Sequence, residues 1–141
     1  MNHIALQIER TGAGAIAESG KVVFDNTPLL VGNIRYNPVT GVMTLSEPGR
    51  YLFHWWVAAQ PSLSAKEIEL ALSTSQGDFL EGECPAKNGE VIGKGVIEVP
   101  ETPVTVSLVN ASEDTLFYSS VEPLKASMIV IADADHNHGG W

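Results

Sequence analysis

The sequence predicts an all-β sandwich with one sheet that is apolar on both faces. Three observations carry this. No stretch shows helical periodicity, and 13 glycines and 8 prolines punctuate short β-type runs. Residues 36–57, YNPVTGVMTLSEPGRYLFHWWV, read as strand, turn, strand, turn, strand, with Asn37-Pro38, Thr40-Gly41 and Pro48-Gly49 as the turn chemistry. The last of these strands is apolar on both parities: Tyr51, Phe53, Trp55 and Val57 on one, Leu52, His54, Trp56 and Ala58 on the other. A sheet with one wet face alternates apolar and polar residues. This strand therefore needs a second sheet on one side and a subunit interface on the other.

The remaining elements follow in order. Ile4, Leu6 and Ile8 alternate with Ala5, Gln7 and Glu9, which predicts a half-buried first strand. Residues 11–20 read as a small-residue loop. Strands are expected at 22–24 and 29–36, broken at Asp25-Asn26-Thr27-Pro28. In 66–73, Ile68, Leu70 and Leu72 oppose Glu67, Glu69 and Ser73, a strand with a wet face. Residues 91–99 and 104–109 are two strands joined by Pro100-Glu101-Thr102-Pro103; Val104, Val106 and Leu108 face in, Thr105 and Ser107 out. A short run at 116–119 precedes ASMIVIA at 126–132, again apolar on both faces. Two strands are thus two-sided, from Tyr51 and from Ala126, and two are one-sided, from Lys66 and from Val104.

The pattern Tyr36-x-x-x-Thr40-Gly41-x-x-Thr44-Leu45-x-x-Pro48-Gly49-x-Tyr51-x-Phe53 resembles the central signature of C1q/TNF-like domains. Residues 20–133 as a whole look closest to the bacterial branch, the heads of collagen-like spore-surface glycoproteins. The resemblance implies a two-sheet jelly roll of about ten strands that assembles as a homotrimer, with the two-sided strands in the inner sheet against the threefold axis. It places Tyr51 and Phe53 in the core, to which the alternation of their own strands adds Leu70 and Leu108. It assigns Leu52, His54, Trp56, Met128 and Val130 to the trimer interface. The jelly roll is expected over 1–134, followed by a His/Gly-containing tail at 135–141. No Gly-X-Y tract is present among these residues, a departure from stalked members.

Composition narrows the function. The chain is 44% hydrophobic, enough for a core, and only 18% charged, which leaves little charge to cover a small monomer's surface. A net charge of −9 disfavours nucleic acid as a partner. One cysteine, Cys84, permits no intrachain disulfide. The first residues show neither a basic start nor a long apolar run, so a secretory signal is not expected, and no run reaches the length of a membrane span. Delivery to a spore surface from the mother cell fits that expectation.

Chemistry-bearing residues are few. His136 and His138, with Asp133 and Asp135, are the candidate ligands of a divalent metal on a trimer axis; the plainer reading is a solvated terminus. His54 is either a triplet of imidazoles on the axis or a core histidine satisfied by a hydrogen bond. Cys84, in Gly82-Glu83-Cys84-Pro85, lacks a nucleophile's signature and reads as structural. Gly12-Ala13-Gly14 precedes no helix and is a turn rather than a phosphate loop. Asn110-Ala111-Ser112 matches a glycosylation sequon, and the acidic loop at 111–115 lacks calcium-loop spacing. The expectation is a non-enzymatic homotrimeric head without a cofactor, structural or adhesive on a bacterial spore surface, meeting other surface proteins or glycans. The alternatives are a phage or virion receptor-binding or decoration trimer, and a lectin using Tyr118 or Trp141.

Overall fold

The computed structural model describes residues 2–61, 68–82, 90–113 and 115–134. Among them every regular element is a strand: β1 (Asn2–Arg10), β2 (Ala15–Ile16), β3 (Asn26–Val31), β4 (Ile34–Asn37), β5 (Val42–Leu45), β6 (Gly49–Pro61), β7 (Leu70–Thr74), β8 (Phe79–Glu81), β9 (Glu90–Val99), β10 (Val104–Asn110), β11 (Leu116–Tyr118) and β12 (Ala126–Ala134). All pairings are antiparallel. One sheet has the order β4-β5-β10-β7-β8; the other runs β9-β6-β12-β1-β3 across its width, with β2 and β11 at one end.

The short strands β2 and β11 are continuations rather than extra positions. Ala58 of β6 donates its N–H to Lys125 O and accepts the Ser119 N–H on its own carbonyl. Both groups of one strand residue point to the same edge, so β11 and β12 lie end to end along β6. Likewise Lys125 N–H reaches Arg10 O and Tyr118 N–H reaches Gly14 O, which sets β2 beyond β1. Each sheet is therefore five positions wide, consistent with the jelly roll expected.

Arg10 holds the joint where these strands are interrupted. Its guanidinium donates to Gly12 O, Val23 O and Ala13 O, each at 2.9 Å, and stacks 4.2 Å over the Tyr118 ring. Asp25 accepts the backbone N–H groups of Thr11 and Gly12 from the other side. A run of small residues that cannot pack on its own is fixed by charge-assisted hydrogen bonds instead.

Tyr51, Phe53, Leu70 and Leu108 are buried between the sheets, with Ile4, Leu6, Ile8, Met43, Leu45 and Val106. Tyr36 Oη accepts the Phe24 N–H at 2.8 Å, and Tyr51 Oη donates to Glu47 O at 2.6 Å. The core closes on Trp55, whose indole lies between β9 and the end of β8. A Cβ at Gly93 would sit 2.1 Å from Trp55 Cε2, and one at Gly82 would sit 2.1 Å from Trp55 Cη2. Both glycines leave room for the ring rather than for a turn.

Several element boundaries differ from the sequence reading. The 29–36 strand is two strands, because Gly32, at φ 86°, passes the chain from one sheet to the other. A Cβ there would meet His3 O at 2.4 Å. Asn26, Thr27 and Pro28 of the expected break at 25–28 belong to β3, since Pro28 is tolerated in a strand on the sheet's edge. Residues 22–24 form no strand; Lys21 makes a single bridge to Val109, and Val22 and Phe24 are buried. The loop at 11–20 contains β2, and β8 was not expected.

Two outcomes follow. Burial pushes the Tyr36 and Tyr51 hydroxyls up to about 12 from an ordinary 10.0. A folded value above the unfolded one contributes stability that is full below pH 10 and lost as pH rises through 12. Denaturation midpoints measured at rising pH should fall in that window, and less steeply in Tyr36→Phe and Tyr51→Phe. Separately, Gly93→Ala should cost about 1–3 kcal/mol by overpacking, seen as a melting temperature several degrees lower. Trp55→Phe in the same chain should recover part of that loss.

Candidate interaction face

The outer face of the β9-β6-β12-β1-β3 sheet is built from rows of directly opposed residues. One row runs Val31–Ala5–Ile131–Leu52–Val96 from β3 to β9. Its large members are exposed in the protomer: Val31 44%, Ile131 51%, Leu52 48% and Val96 57%. The next row is Leu29–Gln7–Ile129–His54–Lys94, and the one beyond is Asn26–Glu9–Ser127–Trp56–Ile92. Leu29, Ile129 and Ile92 are exposed as well. Directly opposed residues point to one face; the first row is apolar across all five strands, and the next two set Leu29, Ile129, Trp56 and Ile92 among polar and charged side chains.

The other sheet's outer face is different. Its rows include Arg35–Thr44–Thr105 and Ser107–Ser73–Phe79, mostly polar. Water covers that face at little cost. Contiguous exposed apolar surface marks an interaction site.

Polar groups frame the apolar rows. Arg50 Nε donates to Glu98 Oε1 at 2.8 Å across β6 and β9. Trp56 is half-buried, and its Nε1 donates to Glu90 Oε1 at 3.3 Å. Lys94 stands opposite His54. On the β3 side, Gln7 Nε2 and Asn26 Nδ2 reach Glu9 at 3.4 and 3.5 Å.

The expected lining residues divide. Leu52, His54 and Trp56 point outward on β6. Met128 and Val130 do not: they are buried inside the sandwich, and the outward members of β12 are Ile129 and Ile131. The register decides this, because Met128 opposes Trp55 and Val130 opposes Phe53, both core residues. His54 is exposed in the protomer, which overturns its reading as a core histidine. The sequence reading missed Ile92 and Val96, although their alternation with Gly93, Gly95 and Ile97 places them outward. It also missed Leu29 and Val31.

Other candidates resolve. Asn110 is buried; its Nδ2 donates to Ile16 O and Ala17 O, and its Oδ1 accepts the Ser112 N–H at 2.9 Å. A side chain so engaged is no glycan acceptor in the folded state. Ser112 Oγ is bonded to the Glu69 backbone, so it is not free to ligate calcium. Tyr118 is buried beneath Arg10, which removes it as a sugar platform. Burial pushes its hydroxyl up. Gly12 and Ala13 are consumed by Arg10 and Asp25. Cys84, His136, His138 and Trp141 lie outside the described residues. Among the described residues there is no group of three or more His, Cys, Asp or Glu that would hold a metal, and no helix is long and apolar enough to cross a membrane.

Comparison with known proteins places the architecture. No protein-family model matches the chain, and no curated protein matches its sequence. Among solved structures, the globular domain of zebrafish complement 1qA protein is similar at 15% identity, with 93% of this chain and 96% of that chain covered and a TM-score of 0.64. Murine APRIL is similar at 12% identity in its pH 8.0 structure and 11% at pH 5.0; each covers 94% of this chain and all 100% of that chain, with a TM-score of 0.66. The chain therefore has the two-sheet jelly roll of C1q and TNF-type heads.

Replacing Asn110 by Ala should lower stability by about 1–3 kcal/mol, since it strips hydrogen bonds from buried backbone groups. Urea unfolding measures this, and a neutral result would show that the Asn110 bonds contribute nothing.

Proposed function

We propose that this chain is a non-enzymatic head domain that works as a homotrimer, with the β9-β6-β12-β1-β3 face turned toward a threefold axis. The row Val31–Ala5–Ile131–Leu52–Val96 carries the reading. It is apolar across the whole sheet, while the opposite face of the sandwich is polar. The low charge content of the chain, 18%, supports the same reading. The threefold order comes from the resemblance of the 36–53 signature to C1q/TNF-like domains, and the fold is consistent with it. No nucleophile, base and orienting group converge among the described residues, which favours a binding role. Loops at the ends of the sandwich would then meet other surface proteins or glycans. The setting this reading carries is a bacterial surface, in particular a spore layer, on the strength of the sequence resemblance alone.

Sedimentation or native mass measurement at micromolar protein should give about 45 kDa, three copies of 15.1 kDa. A single species of one copy's mass would sink the reading. Leu52→Glu should yield a folded monomer, because three clustered carboxylates on an apolar surface resist desolvation. Thr105→Glu, on the polar face, should leave the trimer intact.

A further inference from the structure

We infer that Lys94 of each protomer pairs with Glu9 of the next, and that this ion pair sets how the copies dock. The inference rests on the threefold assembly proposed above. A closed ring of identical copies makes a head-to-tail contact, so the β9 side of one copy meets the β3 side of its neighbour. With strands running along the axis, rotation keeps every residue at its height. Val96 and Val31 end the same row and therefore meet. The adjoining row ends in Lys94 on the β9 side and in Leu29 on the β3 side. Glu9 lies one strand in from that edge, a single row further along. One row is a two-residue step of about 7 Å, within the joint reach of lysine and glutamate side chains.

Charge accounting selects this pair. Within the protomer, the acids flanking Lys94 on its own strand are already engaged: Glu98 by Arg50, Glu90 by the Trp56 indole. Lys94 has no ion-pair partner among the described residues, and its opposed neighbour is His54. Closing an apolar interface over an unpaired ammonium is costly, so assembly needs an anion there. On the β3 side Asp25 is occupied by the Thr11 and Gly12 backbone. Glu9 is the available acid, held by two amide contacts near the long limit of a hydrogen bond and with no ion-pair partner among the described residues. The two sides of the face thus carry opposite unpaired charges at neighbouring heights.

A charge-reversal cycle tests this by sedimentation equilibrium of the full chain, with circular dichroism confirming that each variant is folded. Lys94→Glu and Glu9→Lys should each raise the concentration of half-dissociation at least about tenfold, and the double variant should return it to within about threefold of the wild type. A trimeric wild type whose single variants are unchanged, or whose double variant is no tighter than the singles, overturns the ion pair and leaves the trimer standing. A monomeric wild type removes both.

Discussion

Strand β6 carries apolar side chains on both faces, and each face requires a different cover. Tyr51, Phe53, Trp55 and Val57 are covered by the second sheet and form the centre of the core. Leu52 and Trp56 face the other way, with Ile131 and Ser127 opposite on one edge and Val96 and Ile92 on the other. Nothing in the protomer lies over these outward residues among the described elements. At roughly 25 cal/mol per Å² of apolar surface removed from water, a patch spanning five strands is a large driving force for association. The fold thus leaves one sheet face uncovered in the protomer, and that face is the one the proposed assembly would use.

Closing the core and exposing the face are linked through the same strand. Trp55 fills the end of the sandwich only because Gly82 and Gly93 offer no Cβ. The residues next to Gly93 on β9, Ile92 and Lys94, are thereby turned outward onto the face. The Arg10 joint acts two strands away on β1, where two of the sheet's strand positions are interrupted. Anchoring a loop through backbone carbonyls and one aromatic ring leaves its outer side free to vary without disturbing the sheet.

The sheet assignment was legible because periodicity separates one-sided from two-sided strands. Residues 66–73 and 104–109 alternate, and β7 and β10 lie together in one sheet; the two-sided β6 and β12 lie together in the other. The facing of β6 was legible because the Tyr51-x-Phe53 signature marks its inward parity. The facing of β12 was not. ASMIVIA is apolar on both parities, so only its register against β6 tells Met128 and Val130 from Ile129 and Ile131. The β3 boundary was missed for a related reason. Proline ordinarily breaks strands, but β3 is an edge strand and its outer N–H groups need no partner. Leu29 and Val31 were missed for another reason: 29–36 reads as one strand, and only the crossing at Gly32 sets them in a different sheet from Ile34 and Tyr36.

The central claim is that Leu52, Val96 and Ile131 are covered by other copies of the chain. Hydroxyl-radical footprinting across a dilution series reads that cover directly. Val39 and Val121, 84% and 83% exposed on loops, supply the reference for full reactivity. The account expects labelling of Leu52, Val96 and Ile131 to be far below the reference at micromolar protein and to rise on dilution, while labelling of Val39 and Val121 stays constant. Labelling of the three that matches their roughly half-exposed state in the lone protomer, at every concentration, would contradict it.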